Sequence, residues 1–201
     1  MERPLRSDTP SNHTWLNERL LLLGEFLRTH SIATIAPSSQ RLCRRMIGRI
    51  NIETAQSIAE LGVGTGPITA ALDKAMPAEC RYLGVELNPR LHAYASNRLP
   101  HRRIVHGNAA DLESLLQEYE MPPLDAVFSG LPMPLIPEEP RKKILEAAKK
   151  CSKPEAPWLQ ITCFGTYYKQ LYRDLFDHVE FHHVFDLPYL IGGYFECRGI
   201  K

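Results

Sequence analysis

An α/β fold built on one open, largely parallel sheet of seven strands follows from three features of the sequence. Short apolar runs alternate with amphipathic, helix-length segments through the first five strands. A Gly-x-Gly-x-Gly turn joins the first run to its following segment. Two further strand-like runs close the chain with no helix between them. The parallel crossovers should be right-handed. At 201 residues, 44% hydrophobic and 23% charged, the chain can fill one α/β core without a disulfide or metal staple. The net charge of +1 argues against a dedicated nucleic-acid binder, yet it hides an asymmetry. Residues 1–50 carry eight Arg against Glu2, Asp8, Glu18 and Glu25, which leaves them +4 and the remainder −3. A basic arm of this kind points towards phosphate. Residues 1–50 are therefore read as a tail and helices that cap the substrate or membrane side, and residues 51–201 as the α/β domain.

The five cysteines are odd in number and never spaced C-x-x-C, which fits reduced thiols in a cytosolic protein. No secretory signal is visible near Met1. The longest apolar run, Leu20–Leu23, is too short to span a bilayer, so membrane contact would be peripheral. His182 and His183 are strand neighbours that face opposite sides; no metal is expected.

The elements follow in order. Residues 1–14 read as a mobile tail. From Trp15 to Arg28 a helix places Leu16, Leu20, Leu23, Phe26 and Leu27 on one face, with Leu21 among polar residues on the other. Two readings stand: a helix packed on the domain, or an interfacial helix docked on anionic lipid. Ser38 or Ser39 caps the next helix, Gln40–Gly48, which carries Arg41, Arg44 and Arg45. Such a helix start also suits a phosphate or carboxylate. Ser57–Leu61 is a buried strand, Gly62–Gly66 a turn, and Thr69–Met76 a helix closed by Pro77. Arg81–Leu87 is the second strand, Arg90–Arg98 a helix and Arg102–His106 a short third strand. Asp111 is expected to cap a helix over 112–119. Leu124–Gly130 is the fourth strand, and the proline-rich Leu131–Pro137 loop should be stiff and non-helical. Glu138–Ser152 is a Lys-rich amphipathic helix, Trp158–Phe164 the fifth strand and Tyr167–Phe176 a helix. His178–Phe185 and Gly193–Arg198 form a terminal antiparallel pair.

Ligands of open α/β sheets bind beyond the carboxyl ends of the strands. The sequence places Glu60 with Gly62, Gly64 and Gly66 at the first such end and Glu86 at the second. Asn108 stands at the third, and Ser129-Gly130-Leu131 at the fourth. The glycine spacing is not the G-x-G-x-x-G of dinucleotide binders. With Glu60 ahead of it, Glu60–Gly66 resembles motif I of class I S-adenosylmethionine (SAM) methyltransferases. That resemblance implies a Rossmann-like seven-stranded sheet in the order 3-2-1-4-5-7-6 and a SAM site. Glu60, Gly62, Gly64, Thr65 and Gly66 would lie beside methionine and ribose. Glu86 would accept the ribose hydroxyls, with Leu87 next to it. Asn108 would receive the adenine amino group, Ala109 would offer its N–H, and Ser129 would close the pocket.

Phe26–Ser39, Glu60–Gly66, Val85–Pro89, His106–Leu112 and Ser129–Pro137 together resemble the short, soluble, peripheral bacterial phospholipid N-methyltransferases. That family carries F-L-R, A-P-S-S, E-L-G-x-G-T-G, V-E-L-N, H-G-x-A-x-x-L and S-G-L-P in this order. Val63 and Asn108 stand where Pro and Asp are common there, and Met133-Pro134 follows Pro132 where Leu is usual. The resemblance implies methylation of phosphatidylethanolamine towards phosphatidylcholine on the inner face of the cell membrane. SAM would be the donor and S-adenosylhomocysteine the product, with an ornithine-lipid or other aminolipid substrate as the alternative. The carbonyls of Ser129, Gly130 and Leu131 would orient the neutral amine. Tyr167, Tyr168 and Tyr189 are candidates to hold a methylated ammonium by cation–π contact, set against a plainer reading as half-buried residues at element ends. Ser38, Ser39, Arg41, Arg44 and Arg45 would hold the lipid phosphate. A rival enzyme, an rRNA adenine dimethyltransferase, has N-L-P-Y where Gly130-Leu131-Pro132-Met133 stands here. A SAM-binding protein without catalysis is the rival from another class.

Overall fold

Strands buried on both faces build the centre of the sheet. β1 (Ser57–Leu61) and β4 (Ala126–Ser129) are buried at every position, as parallel strands covered by helices on both sides require. The computed structural model describes residues 39–162, 165–185 and 192–201. In it β1 and β4 pair in parallel. β2 (Arg81–Glu86) and β3 (Ile104–His106) extend one flank; β5 (Trp158–Thr162), β7 (Gly192–Ile200) and β6 (Phe176–Val184) extend the other. The order is β3-β2-β1-β4-β5-β7-β6, as the resemblance implied. β7 is antiparallel to both β5 and β6. The carboxyl ends of β1 to β6 therefore share one edge, and β7 ends at the opposite one.

The helices are α1 (Gln40–Ile47), α2 (Pro67–Ala75), α3 (Pro89–Arg98), α4 (Leu112–Glu118), α5 (Glu138–Cys151) and α6 (Gly165–Leu175). The two-residue period of the strands splits the core into two layers. Ile58, Tyr82, Phe128, Leu159 and Ile161 pack with Leu42, Cys43, Met46 and Ile47 of α1 and with Ile68 and Leu72 of α2. Ala59, Leu61, Val85, Val127 and Trp158 pack with α4, α5 and Tyr172 of α6. Local chemistry sets the helix starts. Ser39 caps α1, its Oγ accepting Leu42 N–H at 3.1 Å. Pro67 and Pro89 open α2 and α3, where a missing N–H costs nothing.

Four expectations shift. The Leu131–Pro137 loop contains a 3₁₀ turn, Met133–Leu135; prolines hold φ near the value such a turn needs. Asp111 occupies the cap position of α4, yet its side chain makes no cap bond. Asn108 instead accepts Ala110 N–H at 3.0 Å and starts a 3₁₀ turn over Ala109–Asp111. The terminal strands are also longer than expected, because Phe176 pairs with Ile200. Finally, Tyr167 is exposed rather than half-buried. The expected helix over 15–28, Ser38, Cys163-Phe164 and Tyr189 lie outside the described residues.

α1 is fastened to the β6–β7 hairpin along its length. Arg41 Nη1 donates to the Phe185 carbonyl at 3.1 Å and Tyr194 OH to the Arg45 carbonyl at 3.2 Å. Just past the helix, Arg49 Nε donates to Glu196 Oε2 at 2.5 Å, while Arg198 Nη2 reaches the other oxygen at 3.0 Å. Burial alone would raise the Glu196 carboxyl, but the two guanidinium groups outweigh it and hold it below the usual 4.5. A depressed carboxylate contributes stability that is complete above the unfolded value and is lost as pH falls through the folded one. Glu196→Gln should therefore cost about 1–3 kcal/mol at neutral pH and flatten the loss of stability below pH 4.5. Melting temperatures across pH read this out; an unchanged acid limb would refute it.

Candidate active site

The end of β1 and the start of α2 form a loop that only glycine can make. Gly62, Gly64 and Gly66 have φ of 76°, 61° and 81°, the left-handed region that other residues avoid. A Cβ at Gly64 would meet nothing within 4 Å, so its backbone faces open space where a ligand can lie. At the neighbouring strand end the constraint reverses. A Cβ on Gly130 would stand 2.5 Å from the Gly62 carbonyl oxygen, so the ends of β1 and β4 touch backbone to backbone.

Two carboxylates flank this loop with different tasks. Glu60 is fully buried beneath the start of α2. Its Oε2 accepts Tyr82 OH at 2.6 Å and Thr69 Oγ1 at 2.7 Å. Its Oε1 is buried with no hydrogen-bond partner among the described residues, and so is Thr65 Oγ1. Burial pushes the Glu60 carboxyl up to about 7, against the pull of the two hydroxyls and with added repulsion from Glu86. Glu86 sits at the end of β2. Its Oε2 accepts Gly64 N–H at 2.7 Å and its Oε1 accepts Asn88 N–H at 2.8 Å. Burial raises its carboxyl too, opposed by those backbone donors. Each oxygen keeps a second lone pair for a ligand hydroxyl. Leu87 follows, 65% exposed, with its carbonyl bonded to His106 Nε2 at 3.0 Å. Asn108 and buried Ala109 stand at the end of β3, where the Asn108 oxygen serves its own turn and retains one lone pair.

The end of β4 holds a residue the motifs do not reveal. Gln160, buried in β5, donates from Nε2 to the carbonyls of Leu131 (2.9 Å), Ile161 (3.0 Å) and Ser129 (3.2 Å), while Trp158 Nε1 steadies its oxygen at 3.2 Å. Two of the three carbonyls expected to orient an amine are thus already engaged. The Gly130 carbonyl accepts no hydrogen bond among the described residues. The signal was a lone amide inside the apolar run Trp158-Leu-Gln-Ile-Thr162; a buried polar side chain needs partners. Tyr82 and Thr69 were missed likewise, since nothing in their spacing pairs them with Glu60.

On the same edge, Tyr167 is 81% exposed and meets Tyr168 edge-on at 4.9 Å. Ser39 marks the start of α1. Arg41, Arg44 and Arg45 lie on its exposed face, and no acid among the described residues pairs with them. Away from this edge, Glu180, His182 and Glu196 bring ligand atoms within 4.8 Å of one another. Arg49 already supplies positive charge there, 2.5 Å from Glu196 and 3.7 Å from Glu180.

An ornithine lipid N-methyltransferase from Singulisphaera acidiphila is 35% identical over 192 residues, spanning 92% of this chain and 98% of that protein. The chain belongs to the class I SAM-dependent methyltransferases. A family model described as a methyltransferase domain matches residues 58–155. An O-methyltransferase from Bacillus cereus, solved with S-adenosylhomocysteine, superposes with a TM-score of 0.66 at 14% identity, over 97% of this chain and 94% of that one. TomG from Streptomyces achromogenes, an O-methyltransferase solved with SAM, gives 0.64 at 19% identity, over 92% and 89%. The open space at Gly64, the spare lone pairs of Glu86 and the orphaned Glu60 oxygen suit the cofactor of this family.

A carboxyl raised to about 7 stays protonated in the folded chain after the unfolded chain has ionised. Stability then declines as pH rises from 4.5 and levels off above about 7. Glu60→Gln should remove that decline, a relative gain on the order of 3 kcal/mol by pH 7, visible as a melting-temperature difference that grows between pH 4.5 and about 7; a difference constant across pH would refute it. Gln160→Leu should cost about 1–3 kcal/mol and leave S-adenosylhomocysteine affinity unchanged in calorimetry. A lost cofactor site would show that Gln160 also shapes the donor pocket.

Proposed function

We propose that this methyltransferase adds methyl groups to the amine of an aminolipid headgroup, with ornithine lipid favoured over phosphatidylethanolamine. The observation that carries the reading is the end-to-end likeness to an ornithine lipid N-methyltransferase. The acceptor side is chemically compatible. Ornithine presents a carboxylate where phosphatidylethanolamine presents a phosphodiester, and a serine-capped helix start beside guanidinium groups suits either anion. Ser39, Arg41, Arg44 and Arg45 would hold that group, with Ser38 beside them in sequence.

Bound SAM supplies a methyl group on sulfonium for in-line transfer to a nitrogen lone pair, so positioning carries much of the catalysis. Glu60, Gly62, Gly64, Thr65, Gly66, Glu86, Leu87, Asn108, Ala109 and Ser129 would hold the donor. The Gly130 carbonyl would accept an N–H of the neutral amine. Ser129 and Leu131 act through it, their own carbonyls braced by Gln160. The lost proton passes to water. Tyr167 and Tyr168 would face a methylated ammonium as it forms. Base methylation is disfavoured because Met133, at the position where the adenine enzymes carry a stacking aromatic, is fully buried. Among the described residues no helix is long and apolar enough to cross a membrane, and a peripheral location on the inner face of the membrane accords with a lipid substrate.

Labelled SAM on vesicles that contain ornithine lipid, phosphatidylethanolamine and an anionic lipid tests the reading. Label is expected in the ornithine-lipid fraction first, and a wholly unlabelled lipid fraction would overturn the proposal. Arg44→Ala and Arg45→Ala should each raise the apparent KM for lipid about tenfold, roughly 1.4 kcal/mol, at unchanged SAM affinity. Loss of SAM binding in either variant would count against the anion-holding role.

A further inference from the structure

The large apolar side chains left exposed among the described residues are Leu87, Leu135, Tyr167 and Phe185. All four follow carboxyl ends of strands, those of β2, β4, β5 and β6. Single exposed apolar residues are ordinary on protein surfaces. Their confinement to one edge is not, because the opposite edge offers equally many turns. Leu87 belongs to the donor pocket. The other three lie over the half of the sheet ordered β4-β5-β7-β6. At about 4.8 Å per strand they span roughly 14 Å.

Charge at the Phe185 end of this edge selects the partner. Phe185 is 75% exposed, and its carbonyl accepts the Arg41 guanidinium at 3.1 Å. Arg41, Arg44 and Arg45 are exposed on α1, which carries no acidic residue. Apolar side chains with guanidinium groups beside them match the boundary of an anionic bilayer, where the former enter the acyl region and the latter meet phosphate.

We propose that the carboxyl edge over β4, β5 and β6 is a membrane-docking surface for anionic bilayers, with Leu135 and Phe185 entering the lipid and Tyr167 and the arginines of α1 at headgroup level. The surface sets the mouth of the active site down on the bilayer, so that a headgroup amine enters end-on between β4 and β5. This deepens the aminolipid reading and rests on it for the identity of the substrate alone. It adds a contact made by the folded domain to the one that the sequence suggested for the helix over 15–28.

The test is flotation with vesicles of phosphatidylglycerol and phosphatidylcholine, which hold no methylatable amine, without SAM. Wild type should float with them, and Leu135→Ser, Phe185→Ser together should weaken partitioning by at least about tenfold. S-adenosylhomocysteine affinity of the double variant should match wild type, which shows that the fold and donor pocket are intact. A double variant that floats like wild type overturns the proposal. So does a wild type that stays in solution; if that wild type still methylates a short-chain, monomeric aminolipid, the docking surface falls and the substrate reading stands. Flotation that depends on Leu135 and Phe185, without methylation of any aminolipid, leaves the surface standing and removes the substrate reading.

Discussion

The contact between Gly62 and Gly130 is the constraint on which the site depends. With a Gly130 Cβ only 2.5 Å from the Gly62 carbonyl oxygen, no side chain fits between the ends of β1 and β4. The loop proposed to face the donor and the stretch proposed to face the acceptor therefore share one backbone seam. A sulfonium and an amine must approach to near contact for transfer, and a wall one side chain thicker would hold them apart. The burial of β1 and β4 on both faces keeps this seam stiff, because close-packed interiors resist small shifts.

Around the seam, each buried polar group has a separate mechanical duty. Glu86 ties Gly64 to the end of β2. Gln160 ties the end of β4 to β5. Glu60 is held by two hydroxyls on one oxygen and by nothing among the described residues on the other. That asymmetry is costly in a folded protein, and it is the kind of imbalance that a cationic ligand group relieves. The site thus combines two braces, one of which, Glu86, keeps spare lone pairs, with one carboxyl oxygen that has no partner among the described residues.

Much of this was legible in the sequence, and the reasons differ by element. The strands could be read because burial on both faces demands continuous apolar runs, and the glycine turn because left-handed backbone demands glycine. Glu86 and Asn108 could be placed because ligands of such sheets gather at strand ends. Gln160, Thr69 and Tyr82 could not, since their partners lie across strands and helices with no fixed sequence offset. The 3₁₀ turn at Met133–Leu135 was hidden by prolines that forbid a long helix and yet permit a single turn. The fastening of α1 by Arg49 and Glu196, 147 residues apart, likewise has no local signature.

That fastening bears on how such an enzyme could change its acceptor. α1 and the residues just past it are pinned to the β6–β7 hairpin at three points, whereas the glycine loop is pinned to β2 through Gly62 and Gly64 and abuts the end of β4. The two halves of the sheet are thus tuned by different sets of residues. Drift in the terminal hairpin would tilt the arginine helix by small amounts and so reshape the proposed headgroup site, while the Glu86–Gly64 bond and the Gly62–Gly130 seam stay in place. On that proposal, relatives that share one glycine loop diversify their acceptors from a strand pair that holds none of the residues proposed to bind the donor.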